Sequence, residues 1–488
     1  MFISNLDWVI IIFVLLISLF IGVLSMKRAG KNPDEFFAGG KNMPWWLLGI
    51  SMVATTFSTD TPNLVTDIVR EHGVSGNWVW FAFLLTGMFT VYVYAKLWKR
   101  SGVLTDIEFY ELRYSGKSAA FLRGFRSIYL GVIFNIIVMA AVTLAAIKIG
   151  NILLGLRPIE TVVFTGIIIV IYSSLGGLRG VLITDFFQFF LAMSGSIYLM
   201  FHSVKKAGGM DKIVNSEFVV GKLSLLPNFK DTETLIALFV IPIAVQWWAV
   251  WYSGFEPGGG GYIAQRMFAA KDEKNALNAT LLFNISNFAL RPWPWIITAL
   301  ASLVIFPDLA SLSSAFPHLD PELIRNDIAY PAMITFLPPG IMGLVLASLI
   351  AAYMSTISTH LNWGSSYIVN DFYKRFIKKD AGDRELVRIG RISTAILMVA
   401  ASFMALFLEN ALQAFNILLQ IGAGTGLLFM LRWFWWRINA ISELSAMISA
   451  LCIAIYFEFI HSAIGFADPA NWVKLLSAVI ITTIIWIT

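Results

Sequence analysis

SMVATTFSTDTPN, residues 51–63, interrupts the second apolar run of this 488-residue chain. The run extends over 45–68, where a continuous apolar helix is expected, yet these residues bring hydroxyl groups, the carboxylate of Asp60 and a proline. Because Pro62 has no backbone N–H, carbonyl groups one turn earlier lose their hydrogen-bond partner. The pattern predicts a helix that breaks inside the membrane.

Two interpretations of this segment stay open from its residues alone. Secondary transporters build cation sites from broken helices whose free carbonyls lie at membrane depth. Alternatively, a threonine-rich helix packs tightly against its neighbours, with its hydroxyls bonded to its own backbone. The hydroxyls do not separate these interpretations, but a carboxylate beside the proline favours a functional site.

The composition indicates a membrane protein. Apolar residues make up 58% and charged residues 13% of the chain, against roughly 45–50% and about 25% in soluble proteins. With a mean hydropathy of +0.75, these values exclude a water-soluble multidomain enzyme and favour one polytopic membrane domain. The single cysteine, Cys452, rules out a disulfide framework. The net charge of +5 is more typical of basic cytoplasmic loops than of nucleic-acid binding.

Apolar windows of about 20 residues predict about thirteen transmembrane spans. Continuous rather than alternating apolar runs favour helices over a closed barrel. The ninth window, 330–372, is too long for a simple crossing. Lysine and arginine number 24 in one set of alternate connections and 9 in the other. This asymmetry predicts an N-terminus outside the cell membrane and a cytoplasmic first loop.

No motif for catalysis or nucleotide binding stands out in the sequence. Gly116–Ser118 lacks the earlier glycine of a phosphate loop, and the five histidines are scattered without metal-ligand spacing. A GxSxG elbow is missing as well. We therefore expect neither an enzyme nor an ATP-driven pump, and no cofactor.

The ninth window holds a second polar cluster. Ala352, Ser355, Thr356 and Thr359 follow the i, i+3, i+4, i+7 spacing of one helix face, and Ser358 lies beside them. Neutral hydroxyl and carbonyl oxygens suit a small hard cation. A seam of small residues for helix packing is the alternative.

Two charged positions are further candidates. Asp185 follows Thr184 at the start of an apolar run, where it either lines a site or complements a helix dipole. Arg291 lies within a span, where it pairs with an anionic substrate or with Asp60, or else snorkels to an interface. The sequence does not choose among these roles.

Several motifs occur in order along most of the chain. They are Met43–Trp46 leading into Ser51–Asp60, Ser174–Leu178 leading into Thr184–Asp185, Gln265–Arg266 followed by Ala269–Lys271, and Ala351–Thr359 leading into Asn370–Lys374. In these motifs the chain resembles the sodium/solute symporter family, which includes sodium-coupled sugar, proline, pantothenate and sialic acid transporters.

The resemblance implies an all-α polytopic membrane fold with a five-plus-five inverted-repeat core of the LeuT type. The first repeat would cover 45–202, and the second, inverted one would cover 234–435. A leading helix within 1–30 and two C-terminal helices within 442–488 would be peripheral. Five helices per repeat is an odd number, which inverts the second copy in agreement with the alternation of basic loops.

The resemblance also implies where sodium binds. The principal sodium site would use the carbonyls of Ala54, Phe57 and Ala352 with the hydroxyls of Ser355 and Thr356. Some members have a second sodium site, which would here use Asp185, Ser355, Ser358 and Thr359. The helix face found from spacing alone is the face that the resemblance selects.

The residues predicted for substrate binding and gating are Thr59, Asp60, Tyr252 and Arg291. Asp60 falls where sugar-transporting relatives have a glutamate, and Tyr252 matches their aromatic inner gate. At the position shortly before this gate where these relatives are expected to have an asparagine, this chain has Ala249. The acidic residue that these relatives have in the helix corresponding to 78–85 also has no counterpart here. The resemblance therefore does not imply that the chain selects sugars.

We expect a sodium-coupled symporter that imports a small organic solute (a sugar, an amino acid or an organic acid) by alternating access. Sodium ions would be the only metal ions involved, and they would act as coupling ions. The chain would be embedded in the lipid bilayer, without nucleic acid or an obligate protein partner. A proton-coupled transporter or a non-transporting solute sensor of the same fold is the alternative, and a channel or a membrane enzyme fits less well.

Overall fold

The computed structural model describes residues 3–249, 258–317, 324–408, 422 and 424–488. Over these residues the secondary structure is helical, apart from an isolated bridge between Met43 and Ala270. Within the same residues, eight helices are long and apolar enough to cross a membrane, and four apolar helices are shorter. The expected total of thirteen spans is therefore not confirmed. One of the apolar windows, 411–435, lies outside the described residues over 411–421 and at 423.

The helices used below are numbered in chain order. They are α1 Asn5–Ala29, α2 Trp45–Thr56, α3 Asp60–His72, α4 Val74–Ser101, α5 Gly116–Ile149, α6 Pro158–Ser174, α7 Gly176–Lys206, α8 Thr232–Ala244, α9 Gly261–Ala269, α10 Glu273–Ile305, α11 Ile341–Ile377, α12 Asp383–Phe407, α13 Ala440–Ile460 and α14 Asn471–Ile487.

The second apolar run is broken, as its residues predict, but the break lies upstream of the proline. Helix α2 ends where Phe57 leaves the helical region, with φ −88° and ψ 82°, and α3 begins at Asp60. Pro62 lies in the first turn of α3, where its missing N–H is not needed. The carbonyl of Ser58 accepts a hydrogen bond from the N–H of Thr61 at 3.3 Å instead.

Two further interruptions divide long apolar stretches. After the end of α6, Gly177 in the first turn of α7 breaks the helical backbone with φ 54° and ψ −164°, a conformation open to glycine because it has no Cβ. The overlong window 330–372 divides into a short helix, Ala329–Ile334, and α11, with Gly340 in the connection at φ 86°. A prolyl pair before Gly340 explains why one continuous helix does not form.

Helix α11 lies at the centre of the molecule. Its apolar window is 83% buried, against 33% for α1, and it packs against α1, α2, α5, α7 and α12. Small residues allow the close approaches: a Cβ placed on Gly195 of α7 would lie 2.5 Å from the hydroxyl oxygen of Ser348 of α11. The polar face of α11 is thereby fixed against its neighbours.

Candidate cation site at the broken helix

The break between α2 and α3 lies directly against the polar face of α11. The hydroxyl of Thr356 donates to the carbonyl of Thr55 at 2.8 Å and to that of Ala352 at 3.2 Å. The hydroxyls of Thr55 and Thr359 hydrogen-bond to each other at 2.9 Å. All four residues are buried, so these contacts join the end of α2 to the middle of α11 away from solvent.

Four of the five residues predicted for the principal sodium site lie around this junction, whereas the hydroxyl of the fifth, Ser355, donates to Asp185 at 2.7 Å. Ala54 accepts the N–H of Phe57 at 3.1 Å, at the turn where α2 ends. Phe57 is 1% exposed, and its ring contacts Trp295 of α10 edge-on at 4.8 Å. Thr356 contacts the end of α2 through Thr55, and the same hydroxyl contacts the carbonyl of Ala352. Carbonyl and hydroxyl oxygens of this kind are ligands for a hard monovalent cation.

The packing interpretation also accounts for part of what is observed. The hydroxyl of Thr55 donates to the carbonyl of Ser51 at 2.9 Å, and that of Thr56 donates to the carbonyl of Val53 at 2.9 Å. These are bonds to the helix's own backbone. Thr356 differs because its hydroxyl reaches the backbone of another helix.

Asp185 forms a second cluster against α11. Its side chain is fully buried and accepts hydrogen bonds from Ser355 at 2.7 Å and from Ser51. Helix α7 begins more than two turns before Asp185, so the helix-dipole interpretation does not account for this position. Ser358, also predicted here, donates to the carbonyl of Ser355 at 3.0 Å.

Sequence reasoning assigned no role to Arg266. Its charge entered the basic-loop count, but α9 is a buried helix and Arg266 has no exposed surface. The guanidinium lies 3.5 Å from the carboxylate of Asp185 and donates to Thr359 at 2.7 Å. In the sequence, Arg266 stands out only as part of the motif Gln265–Arg266, to which the family resemblance assigns no function.

Arg291 lies on the other side of the broken helix. It is 3% exposed, donates to the hydroxyl of Thr56 at 2.8 Å, and its guanidinium carbon lies 5.2 Å from the ring centre of Trp295. Snorkelling is therefore excluded. Asn287 accepts from the same hydroxyl of Thr56 at 3.1 Å, so α10 supplies two polar side chains to the break.

Several buried polar side chains lie at the start of α3, directly after the break. Thr59, Asn63 and Thr66 share one helix face at i, i+4 and i+7, and each is less than 9% exposed. Their side-chain oxygens have no hydrogen-bond partner among the described residues. A buried polar atom without a partner is costly, which makes this face a candidate for binding a polar solute. Asp60 begins the same helix.

The predicted inner gate, Tyr252, lies outside the described residues. Ala249, where relatives are expected to have an asparagine, is described and has no exposed surface. The arrangement thus brings together the two predicted sodium clusters and the charged residue Arg291, and it adds Arg266, Ser51 and Asn287 to them.

Known proteins resemble this chain in fold and in sequence. The fold matches a solved structure of a Na⁺-coupled sialic acid symporter with a TM-score of 0.80 and 21% identity, over 99% of this chain and 96% of that one. The sodium/glucose cotransporter of Vibrio parahaemolyticus is 25% identical over 97% of this chain and 89% of its own length. The sodium/sialic acid symporter SiaT of Proteus mirabilis is 24% identical over 89% of this chain and 85% of its own length.

The long apolar helices among the described residues indicate an integral, multi-pass membrane protein. A model of the sodium:solute symporter family matches residues 36–450, and the chain belongs to that family. The resemblance noted from the sequence is confirmed, and with it transmembrane sodium symport as the activity of the family.

Proposed function

We propose that the chain is a sodium-coupled symporter that imports a small organic solute by alternating access. The observation that carries this proposal is the hydrogen bond from Thr356 to the carbonyl of Thr55. It places a hydroxyl of α11 at the point where α2 loses its helical backbone. A cation at this junction would hold the two elements together and would leave them free to separate when it departs.

The coupling ion would bind among the oxygens predicted for the principal site. These are the carbonyls of Ala54, Phe57 and Ala352 and the hydroxyls of Ser355 and Thr356. Sodium would bind from outside, where its concentration is high, and would stabilise the outward-facing form. Its loss to the cytoplasm would loosen the junction and release the solute. A membrane potential of 100 mV adds about 2.3 kcal/mol of driving force per ion.

The solute would bind beside the break, between α3 and α10. Arg291 supplies a buried guanidinium suited to a carboxylate, and Thr59 supplies a hydroxyl without a partner among the described residues. Asp60, at the start of α3, would accept from donor groups of the solute. We therefore propose a small solute with a carboxylate and further polar groups, such as an amino acid or an organic acid. Tyr252 stays the proposed gate.

The molecular arrangement proposed with this function has two inverted repeats, 45–202 and 234–435. The helix within 1–30 and the two helices within 442–488 would be peripheral, with the N-terminus outside. The low burial of α1 supports a peripheral position. No catalytic role is assigned, because the relatives are cotransporters.

The cluster of Asp185, Ser355, Ser358 and Thr359 stays a proposed second ion site. Proton coupling through Asp60 or Asp185 is the alternative mechanism, and a solute sensor of the same fold is the alternative role. Proton coupling predicts solute accumulation without sodium, and a sensor predicts solute binding without accumulation.

Equilibrium binding of radiolabelled sodium to the purified protein tests the proposal without a known substrate. We expect saturable binding that Thr356→Ala abolishes or weakens strongly. Thr394→Ala is the matched control, because Thr394 is a buried threonine of α12 bonded to the carbonyl of Gly390 at 2.9 Å. Sodium binding that is absent from well-folded protein, or equal in Thr356→Ala, would contradict the proposed site.

A further inference from the structure

An open apolar groove lies where the start of α5 meets the end of α11. Aromatic and aliphatic side chains line it, and these are Phe121, Phe125, Ile128 and Ile133 of α5 and Phe372 and Phe376 of α11. The empty volume of the groove is about 740 Å³, which falls within the range of roughly 300–1,000 Å³ found for small-molecule sites. Its α11 wall begins about four helical turns beyond Thr356, and the proposed symport does not use it.

Aromatic rings form both walls of this groove. The ring centres of Phe121 and Phe125 lie 6.2 Å apart, as do those of Phe372 and Phe376. Gly124 lets the walls meet, because a Cβ there would lie 3.0 Å from the ring of Phe376. Phe121 is 61% and Phe376 is 45% exposed, and both helices are long and apolar enough to cross a membrane. Lipid therefore has access to the groove, whose apolar walls suit an acyl chain better than water.

Basic side chains lie at one end of the groove. Lys117 comes one turn before Phe121 on the same face of α5. The guanidinium carbon of Arg375 lies 5.5 Å from the ring centre of Phe376. Lys379 follows Phe376 by three residues, just past the end of α11. The groove thus combines apolar walls with positive charge at its rim.

Two of these charges are not neutralised by neighbouring carboxylates. Glu111 pairs with Arg375 at 2.8 Å, and Lys378 pairs with a glutamate at 2.8 Å. Lys117 and Lys379, by contrast, are exposed, and neither belongs to an ion pair within the part of the chain that the structure describes. Both lysines are therefore available to an anionic group that binds from outside the protein.

The charge of the surrounding connections also favours an anionic partner. Segments 96–126 and 373–391 each contain seven lysine and arginine residues against three aspartate and glutamate residues. Both belong to the set of connections predicted to be cytoplasmic, and the cytoplasmic leaflet carries the anionic lipids of a cell membrane. A phospholipid of this leaflet has the apolar chain and the anionic headgroup that match the two parts of the groove.

We propose that the groove binds an anionic phospholipid, with an acyl chain between α5 and α11 and the phosphate headgroup at Lys117 and Lys379. The bound lipid ties the end of α11 to α5. The same helix carries the candidate cation site, so the lipid contacts an element that the proposed transport cycle uses. The inference itself depends neither on the solute nor on the coupling ion.

Native mass spectrometry of the purified full chain, titrated with lipid in detergent, tests this inference. Phosphatidylglycerol should bind at least tenfold more tightly than phosphatidylcholine with the same acyl chains, because each basic residue beside an anionic headgroup contributes roughly fivefold in affinity. Lys117→Gln/Lys379→Gln should lower the affinity for phosphatidylglycerol at least tenfold and leave that for phosphatidylcholine within twofold. Ile128→Trp, which fills the groove, should weaken the binding of both lipids.

Two matched controls use positions outside the groove. Lys212→Gln/Lys230→Gln removes two exposed lysines from the connection between α7 and α8. Ile396→Trp enlarges an isoleucine of α12 that is 62% exposed. Both variants should bind the two lipids as the wild type does. An equal loss of phosphatidylglycerol binding in the two lysine variants would attribute the effect to net charge and would overturn the inference.

The wild-type protein alone also decides the question if the variants fail to fold. Equal affinities for phosphatidylglycerol and phosphatidylcholine would overturn the inference. Glycerol phosphate carries the charge of the headgroup without acyl chains, and it should not displace phosphatidylglycerol. Displacement by glycerol phosphate would indicate a site for free phosphate and would overturn the lipid assignment. A preference for phosphatidylglycerol that glycerol phosphate does not remove supports it.

Discussion

Replacing Thr356 by alanine removes one group that performs two tasks in this structure. The hydroxyl bridges α11 to the end of α2 through the carbonyl of Thr55 at 2.8 Å, and it is a proposed sodium ligand. Loss of a neutral hydrogen bond costs about 1 kcal/mol of stability. Loss of an interaction with a charged partner costs about 1.5–3 kcal/mol. The sodium affinity should therefore fall roughly 10- to 100-fold, while the protein stays folded.

Thermal unfolding in sodium chloride, with choline chloride to keep the ionic strength constant, measures this effect. A ligand at 100 times its Kd stabilises the folded state by about 2.7 kcal/mol. If the Kd rises roughly 30-fold, the same sodium concentration contributes only about 0.9 kcal/mol. The midpoint of the sodium-dependent rise in Tm should thus move to much higher sodium concentration in Thr356→Ala.

Two control variants make this measurement specific. Thr356→Ser keeps the hydroxyl and should respond to sodium nearly as the wild type does, whereas Thr394→Ala should lower Tm without changing the sodium dependence. An unchanged sodium midpoint in Thr356→Ala, together with a lower Tm in choline, would refute the reasoning. The threonine would then serve helix packing alone.

Three further predictions address other parts of the structure. Arg291→Gln should raise the KM for uptake of a carboxylate solute at least tenfold, and it should leave the affinity of the unliganded protein for radiolabelled sodium within twofold of the wild type. An unchanged KM would show that Arg291 does not bind the solute. Asp7→Ala should lower Tm, because it removes the buried side-chain oxygen that accepts two backbone N–H groups at the start of α11 at 2.7 Å each. An unchanged Tm would show that these bonds contribute nothing. Burial opposes ionisation of Glu111, but the guanidinium groups of Arg375 and Arg123 outweigh it and hold the pKa of Glu111 below its ordinary value. The stability that these ion pairs contribute is present above the ordinary pKa of a glutamate and is lost as the pH falls through the lowered pKa of Glu111. Tm should therefore fall more steeply on acidification in the wild type than in Glu111→Gln. Parallel curves of Tm against pH for the two proteins would contradict this assignment.

The sequence predicts the broken helix but not the residue at which α2 ends. Hydroxyls and a carboxylate in an apolar run predict the interruption, and the helix does end there. Pro62, however, lies in the first turn of α3, a position that tolerates proline. Phe57, which ends α2, packs edge-on against Trp295, a tertiary contact that no local propensity reveals.

The polar face of α11 is easier to predict than its charged neighbour. Ser355, Thr356 and Thr359 share a face because helix periodicity fixes it, and their contact with α2 follows once the helices pack. Arg266 was missed because α9 has only nine residues, too few for an apolar window, and a charge outside such windows is counted as a loop charge. Only the three-dimensional arrangement pairs it with Asp185.

The most direct test of sodium-coupled import is uptake into proteoliposomes containing the purified chain. Radiolabelled small carboxylates, including amino acids and organic acids, would be offered under an inward sodium gradient, an inward proton gradient or neither. The account predicts that at least one solute accumulates above its external concentration only with the sodium gradient, and that Thr356→Ala strongly lowers this accumulation. Accumulation driven by protons without sodium, or undiminished in Thr356→Ala, would contradict it.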